Sequence, residues 1–109
     1  MILATALALA QASPLAAEGF MTGAHLDAEC RDQIPMTCVA YILGVADGLQ
    51  DAAAQGAPRL ICYGPQVEQE ALLQAVIAYL RAHPERHPAR ASELIIAALR
   101  DAFPCPPAS

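Results

Sequence analysis

Residues Met36 to Ala54 read MTCVAYILGVADGLQDAAA. At about 100° per residue, Cys38, Tyr41, Ile42, Val45, Leu49 and Ala52 fall on one narrow face, with Asp47, Gln50 and Asp51 opposite. That is the spacing of an amphipathic helix with one side turned to a core. Gly44 and Gly48 flank the apolar face. Each costs about 1 kcal/mol of helix propensity relative to alanine, so the pair predicts close approach of another backbone, from a neighbouring helix or a partner.

The same period recurs on both sides. Thr22 to Cys30 (TGAHLDAEC) predicts a short first helix with Thr22 as its N-cap, and Arg31 to Pro35 a connection. A third helix is expected from about Gln66 to Ala82, with Leu72, Leu73, Val76, Ile77 and Leu80 inward and Glu68 and Glu70 in its first turn. His83-Pro84 stops it, because the residue before a proline avoids helical angles. A polar linker, HPERHPAR, leads to a fourth helix from near Pro88 to Phe103, with Ala91, Leu94, Ile95, Ala98, Leu99 and Ala102 as its buried stripe. Pro104 ends it. Gln55 to Pro65 reads as loop, in which Leu60 to Tyr63 is an apolar, extended piece tucked under the helices with Cys62 as anchor. No strand-like alternation of useful length occurs. The expected fold is all-α: a small bundle of about four helices stapled by two disulfides.

Composition agrees. The 109 residues suit one domain, and the core must come from Leu, Ile, Val and Ala, since there is no Trp and only two Phe and three Tyr. The net charge is −5, and the six basic residues are all arginines scattered singly along the sequence. No basic run marks a nucleic-acid-binding protein, so none is expected as a partner.

The first 17 residues, MILATALALAQASPLAA, carry no charged side chain, and small-x-small patterns at Ala8 to Ala10, Ala10 to Ala12 and Leu15 to Ala17 offer cleavage sites. Residues 1–17 are therefore read as a signal peptide, although no Lys or Arg precedes the apolar run, and 18–109 as the mature helical domain. The leader is too short and too broken by Gln11, Ser13 and Pro14 for a good membrane span, so no stable membrane insertion is expected after cleavage.

Cys30, Cys38, Cys62 and Cys105 remain, an even number in a small exported domain. Cys30 ends the first helix and Cys38 starts the second, so that pair would staple one corner. The third and fourth helices should run antiparallel, which brings Cys62, ahead of one, beside Cys105, after the other. A bridge from the second helix to Cys62 stays open as the alternative.

Chemistry is sparse. The cysteine spacings are not those of a metal site, and Pro84 and Pro88 break the helix that would align His83 with His87, so no metal or other cofactor is expected. Cys62 with His83 reads as a disulfide cysteine and a loop histidine, not a nucleophile and its base. Asp47 and Asp51 read as a solvated face, and Tyr41 as core. No phosphate loop, nucleophile elbow or dinucleotide fingerprint occurs, so no catalytic residue is assigned and the chain is not read as an enzyme.

Taken in order, the landmarks are Gly23-x-x-Leu26-x-x-x-Cys30, Cys38-x-x-Tyr41-x-x-Gly44-x-x-Asp47, Ile61-Cys62 with Pro65, Val76-x-x-Tyr79-Leu80-x-x-His83-Pro84, Ala91-x-x-Leu94, Ala98-Leu99 and Phe103-Pro104-Cys105. The set resembles the Rap/Tai family over about Phe20 to Pro106. Its characterised members are periplasmic immunity proteins that neutralise cell-wall amidase toxins delivered by type VI secretion. The resemblance implies a helical, disulfide-stabilised, often homodimeric protein that binds a cognate amidase toxin and blocks its substrate groove.

For the inhibitory contacts, the residues themselves point to two exposed places: the proline-stiffened linker with His83, Glu85, Arg86 and His87, and the outer face of the second helix at Asp47 and Asp51. A stiff loop loses little entropy on binding. The competing reading is a general periplasmic helical protein without a toxin partner, such as an acid-stress chaperone or an envelope accessory factor. A chaperone would suppress aggregation of unrelated clients at low pH; an immunity protein would protect against one amidase.

Overall fold

A computed structural model describes residues 19–107. The expected signal peptide, 1–17, lies outside the described residues. Four α-helices are present among those described: α1 (Gly23–Cys30), α2 (Met36–Ala54), α3 (Gln69–Ala82) and α4 (Ala91–Ala102), with one 3-10 turn at Pro84–Arg86. Both disulfides form as ranked from the sequence, Cys30–Cys38 and Cys62–Cys105.

Helix α1 starts where Thr22 is extended and its Oγ1 accepts the His25 N–H at 3.1 Å. That satisfies one of the orphan donors of a first turn. Two more go to the α3–α4 linker: Gly23 N–H donates to the Ala89 carbonyl at 2.8 Å and Ala24 N–H to the His87 carbonyl at 3.0 Å. The start of α1 therefore lies on the linker. Gly23 is required there, because a Cβ at this position would collide with Leu94 Cδ1 and sit 3.2 Å from His87 Cα.

Helix α2 has the bounds expected from its period. Its deepest positions are Cys38, Ile42 and Ala46, spaced by four, while Tyr41, Val45 and Leu49 are half-buried and Ala52 is exposed. The inward face is thus rotated slightly towards Ala46, a residue too small to stand out in a hydrophobicity reading. At the C-terminus Gly56 has φ 107°, and the Gly56 and Ala57 N–H groups bond the carbonyls of Ala53 and Ala52 at 3.1 and 2.9 Å. These paired bonds are the Schellman arrangement, which favours glycine in the left-handed region.

Helices α3 and α4 begin about three residues later than their periodicity predicts. Before α3, Val67 N–H bonds the Gly64 carbonyl at 3.1 Å, so a turn occupies Gly64 to Val67 and Glu68 becomes the N-cap. Before α4, Ala91 N–H bonds the Met21 carbonyl at 2.8 Å, and Arg90 forms an isolated antiparallel bridge with Thr22. Contact with the α1 entry holds Arg90 extended, with φ −64° and ψ 140°, and so delays the start of α4 to Ala91.

The core is aliphatic. Leu26, Ile42, Leu80, Leu94, Ile95, Leu99 and Val76 are essentially fully buried, joined by Cys38, Leu72, Ala91, Ala98 and Ile61. Burying each such Val, Leu or Ile is worth about 1.5–3 kcal/mol. Ala102 of the predicted stripe is exposed. The expected anchor, Cys62, is bonded to Cys105, and its N–H bonds the Phe103 carbonyl at 2.9 Å, setting the loop beside the end of α4 with Ile61 buried beneath the helices. Tyr63 meets Phe103 edge-on at 5.6 Å between ring centroids.

Candidate functional site

The linker between α3 and α4 is tied at each of its polar residues. His87 Nε2–H donates to the Leu80 carbonyl at 2.8 Å, satisfying a carbonyl in the last turn of α3. The His87 carbonyl in turn accepts from Ala24, so this one residue joins α3, the linker and α1. The His83 ring lies over Tyr79 at 4.3 Å between centroids, and its Nδ1–H donates to Glu85 Oε2 at 3.0 Å. That hydrogen bond, helped by one from the Glu85 backbone and by the positive charges of His83 and Arg86, holds the Glu85 carboxyl below the usual glutamate range. The Arg86 guanidinium donates to the Tyr79 hydroxyl and lies 3.4 Å from Glu93 Oε2.

The linker is therefore an ordered ridge. Pro84, Glu85, Pro88 and Arg90 are exposed, while His83, Arg86 and His87 are half-buried. Asp47 and Asp51 belong to a different element, on the exposed side of α2, and neither forms an ion pair among the described residues. Beside them, Cβ atoms added at Gly44 and Gly48 would meet nothing within 4 Å. Among the described residues no helix approaches those glycines, which corrects the intramolecular half of that expectation: there the two glycines face outward.

Two concavities escape a linear reading. An apolar groove of about 180 Å³ lies between the C-terminal half of α2 and the segment Ala57 to Ile61, with Leu49, Ala53, Pro58, Leu60, Ile61 and Leu99 in its walls. Next to it, sharing Arg59 and Leu60, is an open depression of about 520 Å³ bordered by Arg59, Arg86 and Arg100. The three arginines are far apart in sequence, and no local pattern connects them. Only the fold makes them neighbours.

Cys62 is bonded to Cys105, so its sulfur is no thiolate nucleophile for His83 to activate. Among the described residues no group of three or more His, Cys, Asp or Glu side chains is placed to hold a metal ion. No helix among them is long and apolar enough to cross a membrane.

The family model for Rap1a immunity proteins matches residues 8–105. Comparison with curated proteins and with solved structures returns no match.

Proposed function

We propose, from the premise that this chain belongs to the Rap1a immunity protein family, that it is a periplasmic immunity protein. Its partner is a peptidoglycan amidase toxin of a type VI secretion system, which it binds and occludes. The family match over residues 8–105 is the observation that carries this reading. The fold supports it: two disulfides in a small domain suit an oxidising compartment, and a helical frame with an ordered ridge suits binding without chemistry.

Occlusion needs a surface that keeps its shape. The linker meets that need, since His83, Arg86 and His87 are all held by bonds inside the chain before any partner arrives. Little conformational entropy is then lost on docking. We assign Glu85 and the exposed edge of His83 as contacts to the toxin, with Arg86 and His87 as the supports that hold the ridge. Asp47 and Asp51, on the outward stripe of α2, form the second contact region, for the toxin or for a second copy of this chain.

The test is neutralisation. Cells that make the amidase in their periplasm should lyse, and co-export of this chain should restore growth and yield a stable complex of the two. Export without rescue and without a complex, together with low-pH suppression of aggregation of unrelated clients, would replace the immunity reading with that of a chaperone.

A further inference from the structure

The sequence carries six arginines and no lysine, against a net charge of −5. Half of these arginines border one depression. Arg59 comes from the loop after α2, Arg86 from the 3-10 turn and Arg100 from α4. Among the described residues, Asp101 is the sole acidic one lining it. A locally positive concavity on a negative molecule is a focused field, which raises the local concentration of an anionic group.

These guanidinium groups are incompletely used. Arg86 pairs with Glu93 and the Tyr79 hydroxyl. Arg59 donates to a neutral acceptor, Gln50 Oε1, at 2.8 Å. Arg100 has no ion pair among the described residues. A planar guanidinium fork matches a carboxylate in bidentate fashion. Across the ridge made by Arg59 and Leu60 lies the apolar groove, and Leu60 is one of the few large apolar side chains left exposed. Any occupant long enough to cross that ridge meets an apolar slot on one side and guanidinium groups on the other.

We infer that this composite surface docks an acidic, apolar-anchored peptide segment of the protein partner. An apolar side chain of the segment enters the groove, and its neighbouring carboxylates pair with Arg59 and Arg100. The inference rests on the proposed function only for the partner's identity as a toxin; the surface chemistry stands by itself. A nucleic acid fits less well, because the apolar groove offers nothing to a phosphate backbone and the ring of Tyr79 is already covered by His83.

The experiment is a fluorescence-anisotropy titration of the oxidised mature chain with a labelled peptide of alternating leucine and glutamate. Saturable binding is expected, weakened at least about tenfold by Arg100→Glu and by Arg59→Glu, and weakened by added salt as charges are screened. Arg81→Glu is the control for net charge: Arg81 is exposed and lines neither concavity, so binding should be unchanged. Circular dichroism checks that each variant is folded, and Arg100→Gln, with its smaller charge change, should give an intermediate loss. The inference is overturned by absent saturable binding, by equal loss in Arg81→Glu, or by equal binding of a leucine–glutamine peptide or a single-stranded oligonucleotide. Toxin neutralisation is read separately, so failure of the peptide assay with rescue intact removes this surface and leaves the immunity function standing.

Discussion

Two glycines of the same chemistry have opposite consequences. At Gly23 a Cβ has no room, because Leu94 Cδ1 occupies its place and the His87 backbone is close behind. Gly23→Ala should therefore destabilise the domain by about 1–3 kcal/mol, the usual cost of overpacking. At Gly44 the space is open, and Gly44→Ala should stabilise it by up to about 1 kcal/mol through helix propensity. Thermal melts of the two variants should move in opposite directions. The His83–Glu85 contact offers a second reading at this scale. A carboxyl whose folded pKa lies below its unfolded value adds stability above the unfolded pKa and loses it as pH falls through the folded one. Glu85 is exposed, so the energetic effect is slight, but the titration is observable. In a carbon-detected NMR titration Glu85 should ionise below the ordinary glutamate value and move upward towards it in His83→Ala.

Helix boundaries depend on which elements meet. The polar linker behaves as an element because His87 anchors it to the α3 end through its ring and to the α1 start through its carbonyl. His87→Ala should remove about 1 kcal/mol, the net worth of one hydrogen bond, lowering the melting midpoint by about 4–8 °C. Faster amide exchange at Ala24 should accompany it, since the carbonyl that Ala24 bonds loses its fixed position. Periodicity was enough to read the full span of α2, the inward face of α3 and, apart from Ala102, that of α4, because aliphatic spacing and bounding prolines are local signals. It was not enough for the starts of α3 and α4. Those are set by the turn at Gly64 to Val67 and by the bridge from Arg90 to Thr22, a pairing across most of the domain. The burial of Ala46 is not legible for a related reason: it comes from its position, not from its own hydrophobicity.

For the molecule as a whole, the two crosslinks contribute unequally. In the chain-entropy model the short Cys30–Cys38 loop, 8 residues of separation, is worth about 2.5 kcal/mol, and the Cys62–Cys105 loop, 43 residues, about 4. Replacing Cys62 and Cys105 together by alanine should thus cost more in a denaturant titration than replacing Cys30 and Cys38. The disulfide frame was legible as the pairing that short connections between helix ends favour, and the structure decides it against a bridge from α2 to Cys62. The candidate site was legible only in part. The linker and the Asp47–Asp51 face announce themselves by prolines and by charge on a helix period. The meeting of Arg59, Arg86 and Arg100 does not, since it depends on how α4, the 3-10 turn and the loop after α2 come together. The proposed immunity function predicts neutralisation of a wall-degrading toxin. The most direct measurement directs the cognate peptidoglycan amidase to the periplasm of a susceptible host, with and without this chain. Lysis alone and full survival with the chain co-exported is the predicted result; lysis that proceeds unchanged in its presence would contradict it.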